Sequence, residues 1–324
     1  MKILVTGITG LLGSYLAKEL AELGELHGLR RKDSQLDLLG DLGEHITWHE
    51  GDISDCISLE AAFEGMDMVV HAAGFISYDP KDKQELIRIN VEGTANVVNV
   101  MLQKNIPKLI YISSVAALGR APEVSFIDEN FKWVASPLNT PYGTSKYLGE
   151  LEVWRAAQEG LDVMVFNPSV LLGKITDQRS STAIYNYVLE ENRYFPLGSI
   201  NYIDVRDAAK LMLQIYQAGH WNSRFVLNRE SVPYRIFFQK MAEAFDKKPP
   251  TIPVSPWMMH LALFGLRISN AFKRRNSPIK AQTMRLSQQS ITFGNEKATQ
   301  ATNFEYTPLE STFAWAAGTE FILR

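Results

Sequence analysis

Tyr142 and Lys146 stand four residues apart, a spacing that puts a phenol and an ammonium on one helix face. A free phenol titrates near pH 10 and transfers protons poorly at neutrality; an adjacent ammonium, helped by an oxidised nicotinamide, would stabilise phenolate and lower that value. Tyr142 would then give a proton to a carbonyl or take one from an alcohol. By spacing alone the pair equally fits an ordinary helix surface.

A second candidate lies near the amino terminus, where Thr6-Gly7-Ile8-Thr9-Gly10-Leu11-Leu12-Gly13 follows an apolar run and opens a helix. Gly7 would allow a tight turn, Gly10 would let backbone approach a pyrophosphate, and Gly13 would let helix and strand pack closely. N–H groups at the helix start would face the phosphates. At the end of the next strand, Leu29-Arg30-Arg31-Lys32 offers three cations to a ribose phosphate, with Arg30 and Arg31 as the contacts. That favours NADP(H). NAD(H) stays open because Asp33 follows and could reach a ribose, and the run also reads as a solvated charge cluster.

Elements able to position these groups alternate along the first half. Strands are expected at Ile3–Val5, Glu25–Leu29, Ile46–His49, Met68–His71, Leu109–Ile112 and Val163–Phe166. Between them, helices are expected at Leu12–Leu23, Leu59–Phe63, Leu86–Leu102 and Tyr142–Ala157. Such alternation predicts an α/β Rossmann fold, a doubly wound parallel sheet. After Pro168 the rhythm breaks, with irregular stretches at Gly173–Ser180 and Arg193–Ser199. A helix at Val205–Gln217 and a strand at Phe225–Leu227 return to the core. The expected division is a nucleotide-binding domain, 1–168 with 204–228, and a smaller, mostly helical C-terminal substrate-binding lobe, 169–203 and 229–324.

The 324 residues are 46% hydrophobic and 21% charged, enough for about two cored domains and too apolar for wholesale disorder. Lys plus Arg number 33 against 36 acidic residues, a net charge of −3 that argues against nucleic acid or an anionic membrane as partner. The single cysteine, Cys56, excludes an internal disulfide and favours a reducing cytoplasm. No apolar run reaches the ~18 residues of a transmembrane segment. The six histidines form no paired metal-ligand motif, and no G-x-S-x-G elbow supports a serine hydrolase.

In order along the chain come the Thr6–Gly13 turn, Gly51-Asp52-Ile53, His71-Ala72-Ala73-Gly74, Asn90-Val91-Glu92-Gly93-Thr94, Ser113-Ser114, Tyr142-x-x-x-Lys146 and Asn167-Pro168-Ser169. This series, reaching to about residue 170, resembles the extended short-chain dehydrogenases/reductases. The resemblance implies that Tyr142 is the proton donor or acceptor, and that Lys146 lowers its pKa and binds the nicotinamide ribose. It implies that Ser114 orients the substrate carbonyl, Ser113 being the weaker candidate, and that Asn90 helps hold a proton-relay water. Asn90 also reads as a structural cap in a helix bend. Asp52 and Ile53 match positions around adenine; Ala72, Ala73 and Gly74 match the turn beside the cofactor; Pro168 and Ser169 match the turn at the nicotinamide carboxamide.

Within that family the chain is most similar to the dihydroflavonol-reductase-like group, through Tyr111-Ile112-Ser113-Ser114-Val115, Ile127-Asp128-Glu129, Tyr142 to Glu150, Asn167 to Gly173, Asn295 to Ala298 and Phe304 to Pro308. The implied reaction is hydride transfer from NADPH to a small-molecule ketone or aldehyde, or the reverse from an alcohol. Two other branches remain: a nucleotide-sugar epimerase or dehydratase retaining NAD, and a 3β-hydroxysteroid-type dehydrogenase. Asn167 stands where sugar-nucleotide enzymes usually carry Arg, and Val115 and Ala116 where dehydratases carry acids. A dinucleotide sensor without turnover is disfavoured by retention of Tyr142, Lys146 and Ser114. A homodimer through two long helices is usual for similar enzymes. Phe75 and Tyr78 are expected either to touch a partly aromatic substrate or to pack in the core. Trp257, Leu261, Phe264, Ile268 and Phe272, followed by Lys273-Arg274-Arg275, form an amphipathic stripe expected to roof the cleft, with membrane contact as the alternative.

Overall fold

The computed structural model describes residues 1–175, 182–255, 257–259 and 281–318. Its centre is a seven-stranded sheet made of β1 (Lys2–Thr6), β2 (Glu25–Arg30), β3 (Thr47–Glu50), β4 (Met68–His71), β5 (Lys108–Ile112), β7 (Asp162–Pro168) and β11 (Ser223–Leu227). The order is β11-β7-β5-β4-β1-β2-β3, and every pairing is parallel. The inner strands are unbroken apolar runs because both faces are covered, as a parallel sheet requires. Their residues alternate between two cores. Ile3, Val5, Met68, Val70, Ile110, Met164 and Phe166 pack with α1 (Leu11–Leu20) and α7 (Val205–Gln217). Leu4, Val69, Leu109, Tyr111, Val163 and Val165 pack against α2 (Cys56–Ala62), α4 (Gly93–Gln103) and α5 (Pro141–Gln158).

The chain runs outward from β1 to β3, then crosses back to β4 on the other side of β1. The strand order therefore reverses between β1 and β4, which opens a crevice at the carboxyl ends of these strands where such folds take ligands. The expected doubly wound sheet is what forms, and β11 joins it beside β7.

Several local expectations need correction. The stretch expected as one helix over Leu86–Leu102 is α3 (Lys83–Ile87), a π-helical turn at Arg88–Glu92, and α4. Between the two stretches expected to be irregular, Gly173–Ser180 and Arg193–Ser199, lies α6 (Thr182–Leu189), a helix not assigned from the sequence. The later lobe is helical in its described part, with α6, α8 (Tyr234–Ala244) and helices at Ala281–Leu286, Glu296–Thr302 and Leu309–Ala316. It also holds short strands: β8 (Val170–Leu172), β10 (Ser199–Asp204) and β12 (Glu230–Pro233) form a small mixed sheet. Two further pairs join β6 (Phe126–Ile127) to β14 (Thr292–Phe293) and β9 (Tyr194–Phe195) to β13 (Ile252–Pro253). Runs of two to six residues carry too little periodicity to be read from sequence.

Among the described residues no helix is long and apolar enough to cross a membrane. Of the amphipathic stripe, Trp257 is 65% exposed; Leu261, Phe264, Ile268, Phe272 and the basic run after them lie outside the described residues.

Candidate active site

All the sequence-selected groups sit at carboxyl ends of the sheet strands. The turn Gly7–Gly10 leaves β1, with Gly7 at φ +69° and the Gly10 N–H bonded to the Gly7 carbonyl at 2.9 Å. A Cβ on Gly7 would lie 2.4 Å from the Ala73 nitrogen, and one on Gly13 2.2 Å from the Gly7 oxygen. Gly7 thus brings the turns after β1 and β4 into contact, and Gly13 lets α1 begin against the first of them. Gly10 caps α1 without any side-chain acceptor, so the N–H groups of the first turn remain free for an anion. The Leu11 and Leu12 side chains are buried in the core and contribute only their backbone; Thr9 stays at the half-buried rim.

Past β2, the Arg30 guanidinium lies 5.0 Å from the centre of the Trp48 ring. The Arg31 side chain is exposed, within electrostatic reach of Asp52. Asp52 accepts from the Ser54 amide and hydroxyl at 2.9 and 2.6 Å. Burial opposes its ionised form, yet these hydrogen bonds prevail and hold its pKa down. Ile53 packs where Gly93 has no Cβ.

The reacting end is built by β4, β5, β7 and α5. Pro141 at the first helical position and Thr140, whose hydroxyl accepts from the Gly143 amide at 2.8 Å, start α5 so that Tyr142, Lys146 and Glu150 face inward together. The Tyr142 hydroxyl faces Ser114, whose hydroxyl favours the phenolate; Ser114 follows β5 and caps the short helical turn Val115–Leu118. Lys146 donates from Nζ to the Ile112 carbonyl at 2.7 Å and lies 4.7 Å over the Tyr111 ring. A Cβ on Gly74 would meet both the Asn90 Oδ1, at 3.3 Å, and the Lys146 Nζ, at 3.7 Å. Ser113 points elsewhere, donating to Glu150 at 2.7 Å, which leaves Ser114 as the serine facing Tyr142.

Without a bound nicotinamide, burial dominates the electrostatics. Burial pushes the Tyr142 phenol up from its ordinary value, not down, because the pocket lacks water to solvate phenolate; Tyr78 adds to the rise and the Ser114 hydroxyl opposes it. Lys146 is lowered by burial to about 8, with the Glu150 carboxylate holding it up. Burial therefore favours the protonated Tyr142 phenol at neutral pH. His71, bridging the Thr6 and Thr94 hydroxyls at 2.7 and 3.1 Å, is lowered by burial to about 3 and stays neutral.

Asn90 sits in the π-helical turn and clasps the loop after β4. Its side chain accepts from the Phe75 N–H at 2.7 Å and donates to the Phe75 carbonyl and the Ser145 hydroxyl, each at 2.9 Å. The loop then carries Tyr78 edge-on to Tyr142, with ring centres 5.9 Å apart. Tyr78 is 37% exposed, while its hydroxyl end is enclosed enough that burial raises the pKa. Ala72 and Ala73 are half-buried and Gly74 open. After β7, Pro168 is buried, and the buried Ser169 hydroxyl has no hydrogen-bond partner among the described residues. An orphan hydroxyl there, free amides at α1 and the glycine cradle fit a dinucleotide along the switch-point crevice.

Glu150 had no role in the sequence reading. It is fully buried and accepts from Ser113, from Asn167 at 3.0 Å, from Trp154 at 3.2 Å and from Arg224. Asn167 in turn donates to the Ser114 carbonyl at 2.9 Å. The signal was available, since Glu150 continues the i, i+4 face of Tyr142 and Lys146. Arg224, 74 residues on, had no local cue.

Comparison with known proteins agrees with this arrangement. The model of the NAD dependent epimerase/dehydratase family matches residues 3–227. A Synechocystis protein provisionally named a dihydroflavonol 4-reductase is 30% identical over 261 residues, 78% of this chain and 75% of its own. Cinnamoyl-CoA reductase 1 of Oryza sativa is 28% identical over 264 residues, 76% of this chain and 77% of its own. The crystal structure of gox2253 superposes with a TM-score of 0.83 at 26% identity, covering 99% of this chain and 98% of that one. The chain belongs to the NAD dependent epimerase/dehydratase family, the extended short-chain dehydrogenases/reductases, and is an enzyme of that NAD(P)-dependent type.

Proposed function

We propose that the protein reduces a ketone or aldehyde with NADPH, Tyr142 supplying the proton. The observation that carries this reading is the convergence of a Tyr142 hydroxyl, kept protonated by burial, with Ser114 and a buried Lys146 beside the glycine cradle. A bound nicotinamide supplies the hydride to the carbonyl carbon. Ser114 orients the carbonyl oxygen toward Tyr142, which donates its proton as charge develops there. Lys146, still a cation at neutral pH, would hold the ribose of a bound nicotinamide and stabilise the phenolate left behind. Asn90 keeps the loop bearing Phe75 and Tyr78 against the site, and the unpartnered Ser169 hydroxyl would meet the carboxamide of a bound nicotinamide.

The Arg30 and Arg31 guanidiniums, neither of them in an ion pair among the described residues, favour a ribose phosphate and hence NADP(H). The substrate is taken between the nucleotide-binding part, 1–168 with 204–228, and the remaining lobe. The enzyme works in the cytoplasm as a homodimer through α4 and α5, and light scattering checks that state. A panel of carbonyls and alcohols read at the nicotinamide absorbance, with NADPH and NADH in parallel, tests the reaction. Tyr142→Phe should lose about 10²–10⁴-fold in turnover while still binding cofactor. Unchanged turnover would overturn the assignment, as would conversion of a UDP- or dTDP-sugar without added cofactor.

A further inference from the structure

Beyond Tyr78 the cleft holds a cation that the reaction itself does not use. Arg120 follows the helical turn that Ser114 caps; Gly119, at φ +83°, reverses the chain there, and the Arg120 N–H binds the Asn139 Oδ1 at 2.8 Å. The guanidinium lies 5.8 Å from the Phe293 ring centre and within electrostatic range of the phenols of Tyr78 and Tyr234. Among the described residues no carboxylate pairs with it. Three separate segments meet here: the loop after β4, the turn after β5, and the start of α8 with β14. Tyr78 joins this group to the reacting end, because its ring contacts that of Tyr142.

Arg120 is half-buried; an arginine cannot shed its charge, and one partly withdrawn from water without a counter-ion favours a ligand that supplies the negative charge. A guanidinium offers two parallel N–H donors, and two phenols can add O–H donors from the sides. One positive charge with neutral donors suits a monoanion with two coplanar oxygens. A diphosphate would call for more than the one cation that the described residues place there.

We propose that Arg120, with Tyr78 and Tyr234, binds a carboxylate of the substrate, so that the preferred substrates are oxo acids whose carbonyl meets Tyr142 while the acid lies beyond Tyr78. This assignment rests on the reductase reading of the same site. Apolar flanks from Phe293 and the two tyrosine rings suit an unsaturated or aromatic stretch between the two ends.

The test compares 4-formylbenzoate with its neutral methyl ester as NADPH-dependent substrates. The wild type should favour the acid by roughly 10- to 100-fold in kcat/KM, the contribution of a charge-assisted hydrogen-bonded pair. In Arg120→Leu that ratio should collapse toward one, and in Arg120→Lys it should fall part-way, because the charge survives without the fork. Melting curves establish that each variant is folded. A wild-type ratio near one, or a ratio that Arg120→Leu leaves unchanged, overturns the proposal.

Binding measured without turnover separates its failure from that of the reductase reading. Titration of the NADP⁺-saturated enzyme with 4-formylbenzoate, followed by calorimetry, should show saturation that Arg120→Leu weakens by the same factor. If neither aldehyde is reduced but this binding and its loss are seen, the reductase reading fails and the carboxylate site stands. Absence of binding, or tighter Arg120-dependent binding of UDP to the NADP⁺-saturated enzyme, overturns the carboxylate assignment.

Discussion

Replacing Glu150 by Gln would test whether the buried carboxylate sustains both the fold and the charge of Lys146. Glu150 has 1% side-chain exposure and its partner Arg224 has 21%, so the pair is largely withdrawn from water. A glutamine keeps the shape and one acceptor oxygen but sets an amide against donors from Ser113, Asn167, Trp154 and Arg224. Breaking one side of a buried ion pair costs about 3–5 kcal/mol; the residual exposure of Arg224 puts this case near 3 kcal/mol. At roughly 2–3 °C per kcal/mol for a chain of this size, the melting temperature should fall by about 6–9 °C.

The same substitution has a kinetic consequence with a fixed sign. Lys146 titrates at about 8, lowered by burial and held up by Glu150. It is a cation below that pH and neutral above it, so kcat/KM should fall on the basic side with an apparent pKa near 8. Removing the Glu150 charge removes the part that holds Lys146 up, so this limb should move to lower pH. The other titratable groups around the ammonium leave the window clear. His71 is neutral throughout, and Tyr111 and Tyr142 are pushed above their ordinary values. Stopped-flow or steady-state profiles from pH 6 to 9.5 read the limb directly. Arg224→Gln is the companion variant: it breaks the ion pair but keeps the Glu150 charge, so it should lose stability with its limb at 8 or higher. A limb that Glu150→Gln leaves in place, or moves upward, refutes the electrostatic role.

Gly7→Ala should destabilise by roughly 3 kcal/mol, from a strained positive φ and a Cβ driven into the Ala73 backbone, and should abolish cofactor binding measured by fluorescence. Asn90→Ala removes three hydrogen bonds and should cost roughly 2–4 kcal/mol in thermal or denaturant unfolding, with a raised KM for the carbonyl as the Tyr78 loop loosens. Arg30→Ala combined with Arg31→Ala should weaken NADPH by roughly 10- to 100-fold and NADH little; equal loss for both would remove these residues from cofactor choice.

The fold was legible where period and length agree. Uninterrupted apolar runs at Ile3–Val5, Met68–Val70 and Val163–Phe166, with helical patterns between them, permit little besides a parallel sheet. The glycines at 7, 10 and 13 were legible for a related reason, since the positive φ and the close backbone contacts that the structure has there exclude a side chain at 7 and 13. Less of the site could be read from local signals. The π-helical turn at Arg88–Glu92 has no periodicity of its own. It forms because Asn90 finds Phe75 and Ser145, fifteen and fifty-five residues away, and because Gly149 lets α5 approach the Asn90 carbonyl.

Without a bound nicotinamide the Tyr142 phenol is shifted upward, for a physical reason. Spacing identifies Lys146 as a neighbouring cation, but burial, which spacing cannot report, acts on both groups and opposes charge on each. It raises the phenol and lowers the ammonium, so the two move toward their neutral forms together. Glu150 pulls the other way on Lys146 alone. The site is therefore poised by a carboxylate behind the lysine as well as by the tyrosine–lysine pair. It can donate a proton from Tyr142 at neutral pH while still keeping a cation to receive the phenolate. On the proposed reductase reading, Tyr142 is ready to donate at neutral pH, and use of Tyr142 as a base in the reverse oxidation should need a higher pH or the positive charge of an oxidised nicotinamide to draw its proton off.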